Sequence, residues 1–504
     1  MKKITQNSYA VVFRMRTYGR AMSSSAKITY LFPLLAGPLS FVVLSSIDVP
    51  FAGMSQHAWL IAGLTFWMAI WWISEAVPIP VTSLLPIMLI PLLGLDSLAA
   101  VTAPYAHPLI FLFLGGFLLS IAMERWELHR RIALHVMLIV GSKPAQQIAG
   151  LMAVTAFLSM WMSNTATSVM MLPIALSIIA LQESHQNDGN HDNSIAKPMM
   201  LAIAYSASIG GVATLIGTPP NALLAAYLHS NYGIQVGFAQ WMLLGVPVAI
   251  TMLILCWFWL TRCAFNLNQI TLSDTRSLFQ QELQELGRIT PAEKRVLAIF
   301  LFAAISWISR SFVQNLTGWP LDDTIIALIA ASLLFIVPVN WRSGQRILQW
   351  DDTKKLPWGI LLLFGGGLAL AGQIQASGLA DFIALQVGGL DGLSIVLLVI
   401  LVTSIIIFLT EVTSNTATAA GFLPLLGPVA LALDTSVAML VVPAALAASC
   451  AFMMPVATPP NAIVFASGKL KIIDMVKAGF ALNLMAVVVI SLFCYLLVEK
   501  IFGF

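Results

Sequence analysis

One polar string occurs twice inside the apolar body of this chain. The residues Ser-Asn-Thr-Ala-Thr at 163–167 recur letter for letter at 414–418, and Thr-Pro-Pro-Asn-Ala follows each copy, at 218–222 and 458–462. Two halves that carry polar and proline-rich interruptions in the same order are typical of transporters that bind their substrate where the halves meet. The duplication therefore predicts a transporter built from two repeats.

The composition excludes a soluble globule. Apolar residues make up 59% of the 504 residues and charged residues only 9%, whereas charged residues are about 25% of a typical soluble domain. A membrane helix needs about 20 apolar residues, and such segments begin near residues 28, 57, 79, 108, 198, 240, 293, 323, 358, 435 and 475. We predict an all-α polytopic membrane protein with about eleven transmembrane helices. The net charge of +3 is dispersed over loops and gives no indication of nucleic-acid binding.

The basic residues predict the orientation. If the N-terminus is cytoplasmic and the spans alternate, all of the 25 Lys and Arg residues except Arg310 and Lys500 fall on the inner side. Cytoplasmic loops of membrane proteins are enriched in Lys and Arg. We therefore predict a multi-pass protein of the inner (plasma) membrane with a cytoplasmic N-terminal tail at 1–29, although this basic, acid-free segment also resembles a targeting peptide.

Two apolar segments are predicted to be re-entrant hairpins. Residues 144–180 lie between two predicted inner loops, so the chain must enter and return, yet the segment is short for two spans and a turn. Repeat symmetry predicts a second hairpin at 391–432 that enters from the outer face, although this segment is also long enough for two spans. Prolines break helices, so residues 198–229 and 435–468 are predicted to be broken helices.

The two repeats are predicted to be inverted, because their hairpins open to opposite faces of the membrane. Charged and apolar residues mix at 124–142 and 373–388, which predicts either amphipathic helices along the interface ahead of each hairpin or protruding helix ends. The resulting division is a tail at 1–29, the first span with the first repeat at 30–265, a polar cytoplasmic linker at 266–292, and the second repeat at 293–504.

The interruptions supply uncharged groups for ligands of both signs. A helix that restarts after a break directs free N–H groups and about half a positive charge at one point, which suits an anion. Unwound carbonyls, Ser and Thr hydroxyls and Asn amide oxygens suit a hard cation such as Na+. The four strings contain no Lys or Arg. We predict that an anion and a cation bind side by side near the membrane midplane.

Glu411 is a carboxylate predicted to lie deep in the second hairpin. Acids inside membranes are costly and usually functional, so Glu411 is predicted to assist a cation, to take up a proton, or to be solvated in an aqueous vestibule. Its counterpart in the first repeat is Met160, so the two repeats do not share this role. His107, near an outer helix end, is predicted to be an interfacial residue.

At these residues the chain resembles the divalent anion:sodium symporter family, which carries di- and tricarboxylates and related anions. The resemblance rests on Ser-Asn-Thr at both predicted hairpin tips and on the Thr-Pro breaks downstream, and it covers essentially everything after residue 28. It implies a homodimer in which a scaffold part holds the dimer contact, while a transport part made of hairpins and broken helices moves as an elevator.

The resemblance also implies individual site residues. One Na+ is expected at the first tip and break, near Ser159, Ser163, Asn164 and the backbone around Gly211. A second Na+ is expected at the second tip and break, near Thr410, Ser414, Asn415 and Ala457. Substrate carboxylates are expected to contact residues of both tips and both breaks, namely Asn164, Thr165, Thr218, Pro219, Asn415, Thr416, Thr458 and Pro459. The repeats differ where Gly210-Gly211 corresponds to Cys450-Ala451.

We predict a sodium-coupled symporter that imports a small dicarboxylate, such as the C4 acid succinate, with Na+ as the coupling ion and no other cofactor. The alternatives are a sodium-independent anion exchanger of the same fold, a citrate or sulfate transporter, an ion channel and a membrane enzyme. A channel lacks the expected ring of charged pore residues, and an enzyme lacks a nucleophile, base or metal cluster at a suitable spacing. The four cysteines have no metal-ligand spacing and are predicted to be small buried residues.

Overall fold

The chain is almost entirely helical. A computed structural model describes residues 24–185, 195–265, 267, 275–340, 342, 344–387 and 394–502. Within these ranges the one sheet is a two-stranded antiparallel ribbon, β1 (Pro338–Asn340) and β2 (Gln345–Arg346). Helices satisfy their backbone hydrogen bonds internally, as lipid requires, and the predicted all-α polytopic fold is confirmed.

The helices follow the two predicted repeats. Those of the first half are α1 Ser24–Ser45, α2 Gln56–Ser74, α3 Ile79–Thr82, α4 Leu85–Leu92, α5 Leu98–Thr102, α6 Pro108–Arg125, α7 Leu128–Ile139, α8 Pro144–Ser159, α9 Asn164–His185, α10 Ala196–Val212, α11 Pro219–Tyr232 and α12 Phe238–Phe258. Those that follow are α13 Thr275–Leu286, α14 Pro291–Thr317, α15 Asp323–Ile336, α16 Trp358–Ala376, α17 Leu379–Val387, α18 Ile395–Thr410, α19 Asn415–Ala432, α20 Ala438–Ala448, α21 Pro459–Ala466 and α22 Ile472–Phe502. Short 3-10 helices lie at Ala103–Ala106 and Trp350–Lys355.

Eight of the described helices are long and apolar enough to cross a bilayer, and five shorter apolar helices accompany them. With α3–α4, α10–α11 and α20–α21 each taken as one interrupted span, the helices that begin near the predicted starts are α1, α2, α3–α4, α6, α10–α11, α12, α14, α15, α16, α20–α21 and α22. The remaining long helices, α9 and α19, are the second arms of two hairpins. The predicted set of about eleven spans and two hairpins is therefore confirmed.

The hairpins and breaks lie where polar strings and prolines interrupt the apolar sequence. Within the first hairpin, α8 passes into α9 through residues 160–163, and in the second, α18 passes into α19 through 411–414. The broken spans unwind at 213–218 and at 449–458. Each restarts with proline at its first helical position, because proline has no N–H to leave unpaired there and its φ is already helical. The first three residues of the predicted hairpin 391–432 lie outside the described residues.

The two repeats interlock around the broken spans. α10 packs against α8, α9 and α21, while α11 packs against α19 and α20, so each restarted segment contacts the other repeat. All but one of the side chains from Ala196 to Val212 are buried, and all those from Ala438 to Ala448. Elsewhere, apolar side chains on the outer rows of α14 and α22, such as Ile305 and Val488, are exposed as lipid contact requires. The first break, 213–218, is therefore wholly buried in protein, whereas the second, 449–458, is buried except at Met453, Met454 and Val456.

The predicted arm ahead of the first hairpin is tied to the linker. α7 carries Arg131, whose guanidinium pairs with Glu293 at 2.6 Å and donates to the Gly287 carbonyl at 2.9 Å. Arg130 pairs with Glu282 of α13 at 2.7 Å. Glu282 and Gly287 lie in the predicted linker and Glu293 is the first residue of the predicted second repeat, so these contacts hold α7 against the linker and the start of that repeat.

The prediction that all four cysteines are buried was wrong for one of them. Cys256, Cys450 and Cys494 are buried, whereas Cys263 is exposed. Cys263 lies in a π-helical turn, Trp259–Ala264, that continues α12. This turn lies past the apolar part of the helix, where the chain becomes polar and side chains reach solvent.

Candidate functional site: two hairpin tips and two helix breaks

Each hairpin turns where a serine precedes a new helix. α8 ends at Ser159 and α9 begins at Asn164, and the Ser163 hydroxyl accepts a hydrogen bond from the Ala166 N–H at 3.2 Å. In the second hairpin α19 begins at the matching residue, Asn415. Serine is a preferred cap because its oxygen satisfies an N–H that the first turn leaves free. The repeated string therefore starts the second arm of each hairpin, with a side-chain cap from Ser163 in the first hairpin and none from Ser414 in the second.

Three oxygen atoms meet beside the first tip. The Ser159 hydroxyl oxygen lies 2.6 Å from the Asn164 amide oxygen and 2.7 Å from the Ala207 carbonyl oxygen, and Ser159 is fully buried. A hydroxyl has one proton and can donate it to only one of these two acceptors. The cluster therefore has more oxygen lone pairs than protons, and such a set of neutral oxygens suits a hard cation.

The second tip repeats this cluster. The Thr410 hydroxyl oxygen lies 2.8 Å from the Asn415 amide oxygen and 3.0 Å from the Ala448 carbonyl oxygen, and Thr410 is fully buried. Hydroxyl, amide and carbonyl come from the same three elements in both halves: the first hairpin arm, the hairpin tip and the first segment of the broken span. Two stretches of different sequence thus bring the same set of three oxygen atoms together, once at each tip.

Two asparagines hold the unwound turns in shape. The Asn221 amide donates to the Val212 carbonyl at 3.2 Å and to the Thr214 carbonyl at 2.8 Å. The Asn461 amide likewise donates to the Ala451 carbonyl, at 3.2 Å, and to the Met454 carbonyl, at 3.0 Å. Both asparagines are fully buried, and their side-chain oxygens have no hydrogen-bond partner in the described residues. Sequence reasoning did not assign these asparagines to the site, although the Thr-Pro-Pro-Asn-Ala string was visible twice.

Gly211 lies directly against the first tip. A Cβ added at Gly211 would be 2.5 Å from the Asn164 amide oxygen and 3.0 Å from the Gly217 carbonyl oxygen. When the breaks are aligned on their Asn residues, Ala457 of the second repeat corresponds to Gly217, and Ala451 corresponds to Gly211. Gly217 is therefore a backbone candidate for the first cation that sequence reasoning missed, because the tips and the breaks recur at slightly different spacings.

We expect Gly211→Ala to weaken the first cation site. The added methyl would push the Asn164 amide away from its cluster, because overpacking of a filled site costs about 1–3 kcal/mol. The Na+ concentration for half-maximal uptake should rise at least about tenfold, which corresponds to about 1.4 kcal/mol. Gly421→Ala in α19 is the matched control, since a Cβ there meets nothing within 4 Å. Unchanged Na+ dependence in Gly211→Ala would contradict the placement of this site.

The two breaks approach each other. The Thr218 hydroxyl, just before α11, lies 3.3 Å from the Ser449 hydroxyl, just after α20. Thr458 caps α21 by accepting from the Asn461 N–H at 3.4 Å. The starts of both restarted segments thus lie where the repeats meet, and each directs free N–H groups away from its helix.

The side chains proposed to contact substrate differ in accessibility. Thr165 and Pro459 are exposed, while Thr416 and Pro219 are partly exposed. Thr218 and Thr458 are buried. The amides of the tips, Asn164 and Asn415, are partly exposed, whereas the Ser159 and Thr410 hydroxyls next to them are fully buried.

Glu411 holds the second break together. Its carboxylate accepts hydrogen bonds from three successive backbone N–H groups, those of Phe452, Met453 and Met454, at 2.7–3.0 Å. The Asn483 amide of α22 donates a further bond at 2.8 Å. Glu411 is only 3% exposed, so the solvated-vestibule alternative is wrong.

The Glu411 contacts fit an ionised carboxylate, because every hydrogen-bond partner is a donor and a protonated acid would bring another proton among them. Near the counterpart residue Met160, the first repeat has a different contact, in which the Thr214 hydroxyl donates to the Met160 carbonyl. The second break is also longer, at 449–458 against 213–218. The carboxylate therefore satisfies N–H groups that the longer unwound stretch leaves without helical partners.

The comparison with known proteins identifies the family of this chain. The model of the family described as the sodium:sulfate symporter transmembrane region matches residues 25–501. The chain belongs to this family, the divalent anion:sodium symporters. A similar relative is the sodium-dependent dicarboxylate transporter SdcS of Staphylococcus saprophyticus, which is 42% identical over 489 residues and covers 95% of this chain and 94% of its own. SdcS of Staphylococcus aureus strain USA300 is also 42% identical, over 94% of this chain and 92% of its own.

Two solved structures share the fold of this divalent anion:sodium symporter. The YdaH transporter of Alcanivorax borkumensis has a TM-score of 0.56 at 14% identity and covers 94% of this chain and 98% of its own. MtrF of Neisseria gonorrhoeae, whose structure is described in terms of antimetabolite efflux pumps, has a TM-score of 0.54 at 12% identity and covers 94% and 95%. Family membership makes the protein a transporter and decides against the membrane enzyme.

Proposed function

We propose that this chain is a sodium-coupled symporter that imports small dicarboxylates, with a C4 acid such as succinate as the preferred class. The observation that carries the proposal is the pair of oxygen clusters at Ser159 and Thr410, each with one hydroxyl proton between two further oxygens. The printed name of the similar SdcS proteins, sodium-dependent dicarboxylate transporters, supports the substrate class.

Each cation site combines a tip with a break. The first Na+ is held by Ser159, Ser163, Asn164 and backbone carbonyls near Gly211, to which the geometry adds Gly217. The second is held by Thr410, Ser414, Asn415 and the backbone of Ala457. These donors are neutral oxygens, the ligands that hard cations prefer.

The substrate lies between the two tips. Its carboxylates contact the amides of Asn164 and Asn415 and the hydroxyls of Thr165 and Thr416, while the Thr218-Pro219 and Thr458-Pro459 segments close the pocket. The helix starts there direct partial positive charge at an anion without any basic side chain. Bound Na+ beside the substrate adds to that attraction, which couples the two kinds of ligand.

Transport proceeds by an elevator movement. The hairpins and broken spans form the moving part, and a scaffold part carries the contact of a homodimer. The N-terminus is cytoplasmic and the protein lies in the inner (plasma) membrane. Each charge that crosses 100 mV is worth roughly 2.3 kcal/mol, so uptake becomes voltage-driven when more Na+ charge enters than the dianion carries.

The test is uptake of labelled succinate by proteoliposomes with and without an inward Na+ gradient. We expect accumulation only with the gradient, and competition by unlabelled C4 dicarboxylates more than by citrate or sulfate. Counterflow that is equal without Na+ would replace the symporter by an exchanger. Stronger competition by citrate or sulfate would change the substrate class and leave the coupling intact.

A further inference from the structure

Two histidines meet where α11, a segment of a broken span and so of the proposed moving part, packs beside α6, which belongs to neither hairpin nor broken span and is assigned here to the scaffold. His107 immediately precedes α6, and His229 lies in the last turn of the broken-span segment α11. The Nε2 of His107 lies 3.3 Å from the Nδ1 of His229, and the ring centroids are 5.4 Å apart. These residues are separated by 122 positions in sequence, so only the packing of α11 beside α6 brings them together.

The hydrogen bonds define the protonation of this pair. The Nδ1 of His107 accepts from the Leu109 N–H at 3.3 Å, so the ring proton of neutral His107 is at Nε2 and is donated to His229. The Nδ1 of His229 is then unprotonated, with its lone pair directed at His107. Both rings are neutral, which is the form in which imidazole binds metals.

The spacing of the two nitrogens matches a shared metal ion. Nitrogens bound to one tetrahedral zinc ion at roughly 2.0–2.1 Å are about 3.3 Å apart, the separation that His107 and His229 already have. Within the described residues no group of three or more metal-ligating side chains is found. Water would therefore fill the remaining two positions, and binding would be reversible and of moderate strength.

We propose that His107 and His229 form a zinc site that locks the moving part against the scaffold. On binding, the zinc ion takes the lone pair of His229 Nδ1 and the place of the proton on His107 Nε2. That proton moves to His107 Nδ1, which gives up its contact with the Leu109 N–H, so no proton is released and both rings stay neutral. The ion then bridges α6 and α11, and α11 cannot leave α6 without breaking a metal–nitrogen bond.

The accessible side of this site follows from the predicted orientation. The positions of Lys and Arg place the start of α6 and the end of α11 on the outer face, and His229 is exposed. Zinc ions in the external medium should reach the pair directly. The lock rests on the proposed elevator movement, whereas binding of the metal rests on the histidine pair alone.

The test combines zinc binding with zinc inhibition, using zinc chloride as the probe. Zinc should raise the melting temperature of the purified protein, and zinc added outside should abolish Na+-driven succinate uptake. Both effects should be lost in His107→Gln and in His229→Gln, because glutamine keeps a hydrogen bond but binds zinc poorly. Tyr232→Phe is the control, since it removes a neighbouring contact, the 3.2 Å bond from Gln375 to the Tyr232 hydroxyl, and no metal ligand.

The outcomes separate the site from the movement. A thermal shift that is absent in the wild type, or that is as large in both histidine variants as in the wild type, would overturn the zinc site. A shift that requires both histidines, without inhibition of uptake, would overturn the lock. Uptake without zinc reports on the proposed function separately, so its failure leaves the thermal measurement able to decide on the site.

Discussion

Replacing Asn164 or Asn415 by alanine is expected to reduce Na+-driven uptake to background while the protein stays folded. Each amide oxygen lies within 2.8 Å of the hydroxyl of its cluster, and each amide also faces the proposed substrate position. Alanine therefore removes a cation ligand and a substrate contact together, whereas the helix that starts there keeps its backbone. Where uptake remains measurable, the Na+ required for half-maximal rate should rise at least about tenfold, or about 1.4 kcal/mol.

Asn231→Ala provides the control for this pair. Asn231 lies in α11, where its amide donates to the Tyr227 carbonyl at 3.1 Å, and it is part of neither cluster. Uptake by proteoliposomes and elution on size-exclusion chromatography should be measured for all three variants. Because the two clusters share one geometry, we expect both Asn164→Ala and Asn415→Ala to lose uptake. Wild-type uptake by either variant would remove that amide from the mechanism.

Glu411→Ala is expected to have the largest effect on stability. It would leave three consecutive backbone N–H groups and the Asn483 amide without an acceptor. These donors surround Glu411, which is itself only 3% exposed. Each buried unpaired donor costs about 1–3 kcal/mol, so the second break should lose its fixed shape. We expect a large fall in melting temperature in detergent and no measurable uptake.

Glu411→Gln separates the charge from the shape of this side chain. Glutamine fills the same space, but its NH2 group faces N–H donors where the carboxylate accepts, so an intermediate loss of stability is expected. Na+ should also stabilise this variant less, because the backbone at 451–454 lies next to the second cation site. Glu499→Gln, at an exposed position of α22, serves as control. A variant as stable and as Na+-responsive as the wild type would show that Glu411 does not hold the break.

Much of the fold was predictable because its signals are local. The length of an apolar run decides whether a helix can span the membrane, and the prolines of residues 218–222 and 458–462 interrupt helices wherever they occur. The two copies of Ser-Asn-Thr predicted where the chain turns, and the helices indeed restart at Asn164 and Asn415. The family could be identified from the same strings.

The partners of the site residues were not predictable in this way. The acceptors of Ser159 and Thr410 include carbonyls 48 and 38 positions away, at Ala207 and Ala448. Glu411 had three possible roles in the sequence; its burial excludes the solvated one, and its hydrogen bonds to the second break give it a bracing role that was not among the three. Which residues meet across long separations depends on how helices pack, and no local pattern records that.

By itself, therefore, the sequence determined the helices, their interruptions and the twofold repetition, because helix length, capping and proline act over a few neighbouring residues. Only the tertiary structure decided that Asn221 and Asn461 brace the unwound turns, that Gly211 lies against the first tip with Gly217 beside it, and that His107 meets His229. These contacts exist because the repeats interlock, so that residues distant in sequence share one buried space.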